Sequence, residues 1–197
     1  SALTMFNALG EPNVTTNHIA DELEISPGNL YYHFRNKDDI IEQLFARFEE
    51  RMDNALSAPE GRLPGLEDIW LQLHLVFECI WDYRFLHRDL VEILSRNRRL
   101  RLRFARILKR ADERAHAVMR GLSQAGVMRA SKDELAATAT NVLVIATFWL
   151  NYAAARGDKD EHAAIRDGIV QVMMLLAPFL RDAERLHLNT LTRAYLD

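Results

Sequence analysis

The chain has 197 residues, 49% of them hydrophobic and 27% charged, with a formal net charge of −3. That length and apolar share are enough for a buried core and exclude a disordered polymer. The slight acidity excludes attraction to nucleic acid by bulk charge, so any such partner has to be held by a local site.

A single cysteine, Cys79, excludes an intramolecular disulfide and a cysteine-built zinc site, and it fits a reducing cytoplasm. Few glycines and prolines, with little β-branched alternation, point to an all-α fold. The opening Ser1-Ala2-Leu3 lacks the basic start and apolar run of a secretory leader. It already lies in a helical pattern, and further residues are expected upstream. Leu3, Phe6 and Leu9 belong to a first helix, closed by Gly10 and Pro12. A short helix follows, capped by Thr15 or Thr16, with Ile19, Ala20 and Leu23 on one face. Ser26-Pro27 then gives an N-cap with proline at the first helical position. This third helix is about two turns long and directs Leu30 and Phe34 inward. Asn36 caps a long helix to about Leu56, with Asp38 and Asp39 at its dipole-favoured start and Ile40, Ile41, Leu44, Phe45 and Phe48 as its apolar stripe.

Residues 57–65 form the clearest break. Helices are expected beyond it over 66–82, 85–95, 98–125, 132–156, 160–180 and 182–195, with stops at Gly126, Gly157-Asp158 and Pro178. Leu135 to Ala155 carries no charge and is nominally long enough to span a bilayer. Its threonines, asparagines and alanines instead predict a helix covered on one side by its own domain and on the other by a second subunit. The expected layout is an N-terminal unit over 1–47 and a larger helical body over 48–197.

Two short helices and a tight turn within about twenty residues make a helix-turn-helix. The first is Thr16 to Leu23, the turn Glu24-Ile25, and the second Pro27 to Phe34. A recognition helix needs an outward face of small and hydrogen-bonding side chains that can lie against base edges. Pro27, Gly28, Asn29, Tyr31, Tyr32 and His33 meet that demand. The hydroxyls of Thr16, Tyr31 and Tyr32, with His33 and Lys37, suit phosphate contacts that fix the register, and Thr15, Asn17 and Ser26 complete the expected DNA-binding set.

The run Val14-Thr-Thr-Asn-His-Ile-Ala-Asp-Glu-Leu-Glu-Ile-Ser-Pro-Gly-Asn-Leu-Tyr-Tyr-His-Phe-Arg-Asn-Lys-Asp-Asp-Ile-Ile41 resembles the DNA-binding domain of the TetR/AcrR family of bacterial regulators. The resemblance covers about 45 residues of the chain. It implies a homodimeric, ligand-responsive transcription factor, most often a repressor that binds a palindromic operator in double-stranded DNA. Tyr83 to Leu94, followed by an arginine-rich stretch, is similar to one C-terminal subgroup of that family. Two departures stand out. Glu24 occupies a turn position where the family usually has glycine; a left-handed backbone there would cost a non-glycine residue about 1 kcal/mol. Residues 1–45 also carry seven acids against Arg35 and Lys37, a poor balance for phosphate neutralisation. The upstream residues are expected to supply basic charge.

In the body, Trp70, Leu73, His74, Phe77 and Trp81 share one helical face. That face suits a packed aromatic core or the wall of an apolar effector cavity oriented by His74. Asn141 and Phe148 share a face of the uncharged helix, and a buried Asn141 needs hydrogen-bond partners. The ligand contacts expected are therefore Trp70, His74, Phe77, Trp81, Asn141 and Phe148. The opposite stripe, Ala139, Val142, Ala146 and Trp149, with Ile165, Ile169, Val172, Met173 and Leu176 of the next helix, is expected to form a four-helix dimer interface. Arg96 to Arg110 is a basic run, read as a solvated face that could instead pair with the acidic N-terminal unit or lie near DNA.

His74 and Glu78, and Asp112 and His116, stand four apart, but two ligands do not make a metal site. His87-Arg88-Asp89 matches a kinase tripeptide without the strands or Gly-rich loop that would give it meaning. No catalytic residue, cofactor, metal or membrane partner is expected. The competing readings are a metal-dependent helical-bundle enzyme built on His74 and Glu78, and a helical protein-interaction module.

Overall fold

The computed structural model describes residues 1–57, 63–157 and 160–196. The part of the expected break over 58–62, and Asp158 beside Gly157, lie outside the described residues. Among the described residues the chain forms eleven α-helices and two 3₁₀ turns, and no strand beyond one isolated bridge, Met128 with Leu180.

Three short helices make the N-terminal head: α1 (Ala2–Leu9), α2 (Thr16–Glu22) and α3 (Pro27–His33), with a 3₁₀ turn at Glu11–Asn13. Thr15 caps α2 by accepting from His18 N at 3.2 Å, while Thr15 N donates to His18 Nδ1 at 3.3 Å. This is a reciprocal cap with histidine in the usual Glu or Gln place. Ser26 Oγ accepts from Asn29 N at 3.2 Å, and Pro27 opens α3. Phe6, Val14, Ile19, Ala20, Leu30 and Ile40 are buried together.

The long helix α4 (Lys37–Ala55) starts at an Asn36 cap and runs from the head into the body. There it packs on α5 (Leu66–Asp82) and α8 (Arg98–Gln124). The expected helix 85–95 is two pieces, α6 (Arg84–Arg88) and α7 (Leu90–Arg96), parted at Asp89. The carboxylate of Asp89 accepts from Glu11 N at 2.8 Å, so a bond to the head falls at the break. Helix α9 (Lys132–Arg156) begins at a Ser131–Glu134 capping box and ends at Gly157, whose left-handed φ of 81° suits glycine. It packs against α6, α8 and α10 (Glu161–Leu176). A second 3₁₀ turn, Ala177–Phe179, leads to α11 (Asp182–Leu196).

Candidate functional site

Helix α3 has seven residues and buries one. Leu30 points into the head, while Pro27, Gly28, Asn29, Tyr31, Tyr32 and His33 are exposed, Tyr32 by 84%. Phe34, expected as core, is the C-cap and only half-buried. Thr16 and Tyr31 join α2 to α3 through a hydroxyl–hydroxyl bond of 2.9 Å, and Tyr32 and His33 meet edge to face at 5.1 Å. These contacts hold a short, side-chain-rich prong on a rigid base. Thr15, Thr16, Asn17 and Ser26 cluster at the N-terminal ends of α2 and α3, with Thr15 and Ser26 acting as caps.

Lys37 is placed otherwise than expected. Its ammonium donates to the carbonyls of Glu11 and Val14, each at 3.0 Å, and pairs with the Glu11 carboxylate at 2.7 Å. Drawn into the head by two hydrogen bonds and an ion pair, Lys37 staples α4 to the 3₁₀ turn rather than standing out toward a phosphate.

Glu11 is fully buried and also meets Arg96 of α7 at 2.7 Å. Burial pushes its carboxyl up, but the hydrogen bonds and charges of Arg96 and Lys37 outweigh that and hold it below the usual carboxylate range. Asn7 donates to Asp82 O at 2.8 Å and accepts from Phe85 N at 3.1 Å, and Arg88 donates to the carbonyls of Phe6 and Asn7. The head is thus clamped to the end of α5 and to α6 and α7. Nothing in the sequence flagged Asn7 or Glu11, because the groups that meet them from the body, Asp82, Phe85, Asp89 and Arg96, lie 75 or more residues away.

The basic run is not a solvated face throughout. Arg99 pairs with Glu42 at 3.0 Å, Arg103 with Glu49 at 2.7 Å, and Arg110 with Asp53 at 2.7 Å. These three arginines, four and then seven residues apart on α8, each meet an acid of α4 along two packed helices. Arg98, Arg101 and Arg106 are exposed. Much of the head's acidity is therefore neutralised from the body, Glu11 and Asp38 by Arg96 and Glu42 by Arg99.

The body encloses a cavity of about 120 Å³ between α4, α5, α8, α9 and α10. One water needs about 10–15 Å³ on this scale, so the space suits a larger guest. Helix α4 contributes Phe48 and Met52, α5 contributes Leu73 and Val76, and α8 contributes Ile107 and Val118. Its polar rim consists of Gln72, His87, Arg114 and Thr147.

None of the six expected ligand contacts lines this cavity. On α5 the lining stripe is Ile69, Gln72, Leu73, Val76 and Ile80, a neighbouring face of a helix that is apolar nearly all round. Trp70 stacks on His74 with centroids 5.6 Å apart, Phe77 is buried against Gly168, and Trp81 lies 4.1 Å from His162. Phe77 and Trp81 face α10, where Gly168 lets the Phe77 ring approach, while Leu73 of the same expected face does line the cavity. Asn141 and Phe148 are exposed. The expected interface is also displaced. Ala139, Ile165, Ile169, Val172, Met173 and Leu176 are buried within the single chain, Trp149 donates to Ala164 O, and Val142, Ala146, Val172 and Leu176 line the cavity. On the face of α9 that carries Asn141, the expected ligand contact Phe148 and its neighbours Val144 and Tyr152 are exposed, while Thr138 is buried.

Residues 1–44 match the family described as bacterial regulatory proteins, tetR family, and residues 47–188 match TetR, a bacterial transcriptional repressor. A TetR-family transcriptional regulator from Marinobacter aquaeolei VT8 is 38% identical and superposes with a TM-score of 0.91 over 100% of this chain and 96% of that one. The chain belongs to the TetR family.

KstR2, an HTH-type transcriptional repressor of Mycolicibacterium smegmatis, is 37% identical over 73 residues, 33% of this chain and 35% of KstR2. The match thus spans about a third of that relative's length. SmeT, the repressor of the Stenotrophomonas maltophilia multidrug efflux pump SmeDEF, shares the fold at 21% identity and a TM-score of 0.57, over 93% of this chain and 88% of SmeT. In this TetR-family chain Glu24 has a φ of 54° in the turn between α2 and α3, the left-handed conformation that glycine adopts without strain. His74 meets Glu78 at 3.3 Å and His116 meets Asp112 at 3.8 Å, and among the described residues no group of three or more His, Cys, Asp or Glu is placed to hold a metal ion. Cys79 is buried and its thiol lies 3.8 Å from Phe48 O; burial pushes it up to about 12, far from thiolate chemistry at neutral pH.

Proposed function

We propose that this chain is a dimeric, effector-released repressor of the cytoplasm. In this reading residues 1–47 contact a palindromic operator and residues 48–197 hold a small, mainly apolar effector and the partner subunit. The outward face of α3 carries it. Six residues of one short helix face solvent, Tyr32 foremost, and they fall in the stretch matched to the family's regulatory domain. Such a face fits the major groove, with half-sites about one helical turn (roughly 34–36 Å) apart or a multiple of it.

Two links between cavity and head support effector control. Helix α4 supplies Phe48 and Met52 to the cavity wall and carries the head on its other end. Helix α6 presents His87 to the cavity while Phe85 and Arg88 grip α1. An effector then changes operator affinity by its differential affinity for the two head positions.

The test begins with selection of bound duplexes from a random library by the wild-type protein. Tyr32→Ala is expected to weaken binding of the selected duplex at least about 100-fold in a mobility-shift assay, with circular dichroism and sedimentation unchanged. Binding as tight as wild type overturns the reading.

A further inference from the structure

The cavity has two polar ends. His87 lies beneath Phe104, with ring centroids 6.3 Å apart, and Arg114 stands ten residues further along α8. At 1.5 Å per residue the two levels are about 15 Å apart. Ile107, Leu108 and Ala111 of α8, with Leu73 and Val76 of α5, line the space between them.

At the first end, His87 is buried and its Nδ1 lies 3.2 Å from the Thr147 carbonyl. A carbonyl only accepts, so Nδ1 holds the proton and donates. Burial lowers the imidazole to about 4, which keeps it neutral at pH 7. Nε2 is then a bare acceptor, and among the described residues no group bonds it. A guest completing this site has to bring a donor, such as a hydroxyl or an N–H.

At the other end, Arg114 Nε donates to Gln72 Oε1 at 3.1 Å, and Gln72 is fixed in turn by donating to the carbonyls of Ala55 and Ser57. The terminal nitrogens of Arg114 have no hydrogen-bond partner among the described residues. Burial lowers this guanidinium from its usual value, with the charge of Asp68 opposing, so a counter-ion is favoured there.

Building on the reading of this cavity as the effector site, we infer that its guest is an elongated apolar carboxylate with a hydroxyl at the far end, the carboxylate on Arg114 and the hydroxyl donating to His87 Nε2. An unmet buried acceptor discriminates sharply against a guest that lacks the donor, and a guanidinium with free N–H groups discriminates against a neutral ester.

Calorimetric titration of the full chain with ω-hydroxydodecanoate, dodecanoate and methyl dodecanoate tests this. The hydroxy acid is expected to bind about ten-fold more tightly than dodecanoate, and dodecanoate about ten-fold more tightly than its ester. His87→Leu should erase the first ratio and leave the second; Arg114→Gln should do the reverse. Equal affinities in the wild type, no binding of any of the three, or ratios unmoved by the variants overturn the inference, and the wild-type ratios decide it even if a variant fails to fold. Release of the selected duplex is measured in parallel. The expected ratios without release leave the ligand class standing and count against effector control; release by an unrelated neutral compound, with the acids inert, does the opposite.

Discussion

Glu24 shows how a single residue strains a reading head. Its φ of 54° is one that glycine adopts freely, while a side chain costs on the order of 1 kcal/mol. Glu24→Gly is therefore expected to stabilise the protein by about 1 kcal/mol, raising the thermal midpoint by about 2–4 °C, as calorimetry would register; an unchanged or lower midpoint counts against strain at this site. This residue was legible in advance because turn geometry depends on a few adjacent positions. Lys37 was not. Its place after α3 suggested a phosphate contact, yet the carbonyls of Glu11 and Val14 and the Glu11 carboxylate draw it into the head. Glu11 was likewise invisible, since a buried carboxylate is explained only by cations that reach it, and one of those, Arg96, lies 85 residues along the chain.

At the level of elements, the caps were legible and the faces were not. Asn36 and Ser26 open helices α4 and α3 by accepting the first free backbone N–H groups, a local bond that a local sequence specifies. Which stripe of α5 faces the cavity is a different question, because both candidate stripes are apolar. Gly168 contributes to the answer: a Cβ there would sit 2.6 Å from the rings of Phe77 and Trp149. The absence of a side chain draws α10 onto the Phe77 face and leaves the Leu73–Val76 face to the cavity. Gly168→Ala is expected to destabilise the fold by about 1–3 kcal/mol through forced separation of α5, α9 and α10, read from urea unfolding. A loss below a few tenths of a kcal/mol would mean that the contact gives way freely. The pairing of α8 arginines with α4 acids belongs to the same level. The sequence offered it as an alternative to a solvated face, and the parallel run of Arg99, Arg103 and Arg110 beside Glu42, Glu49 and Asp53 decides for pairing along most of that face.

For the whole molecule, the bare stripe of α9, with Val144, Phe148 and Tyr152, and the neighbouring exposed Met174 of α10 make the surface best suited to the proposed second subunit. Phe148→Glu is expected to yield a folded monomer in sedimentation velocity, with helicity unchanged and operator binding weakened; a dimer that persists would place the interface elsewhere. The caps at Ser26 and Asn36, the helix-turn-helix and the family itself were written in the sequence, because hydrogen bonding within one turn and a 3.6-residue repeat need only near neighbours. The tertiary structure alone decided which apolar stripe became cavity, which became core and which stayed bare, and which charges were consumed between head and body. Hydrophobic burial has no direction of its own, so an apolar face acquires its role only from whatever element, near or far in sequence, comes to lie against it.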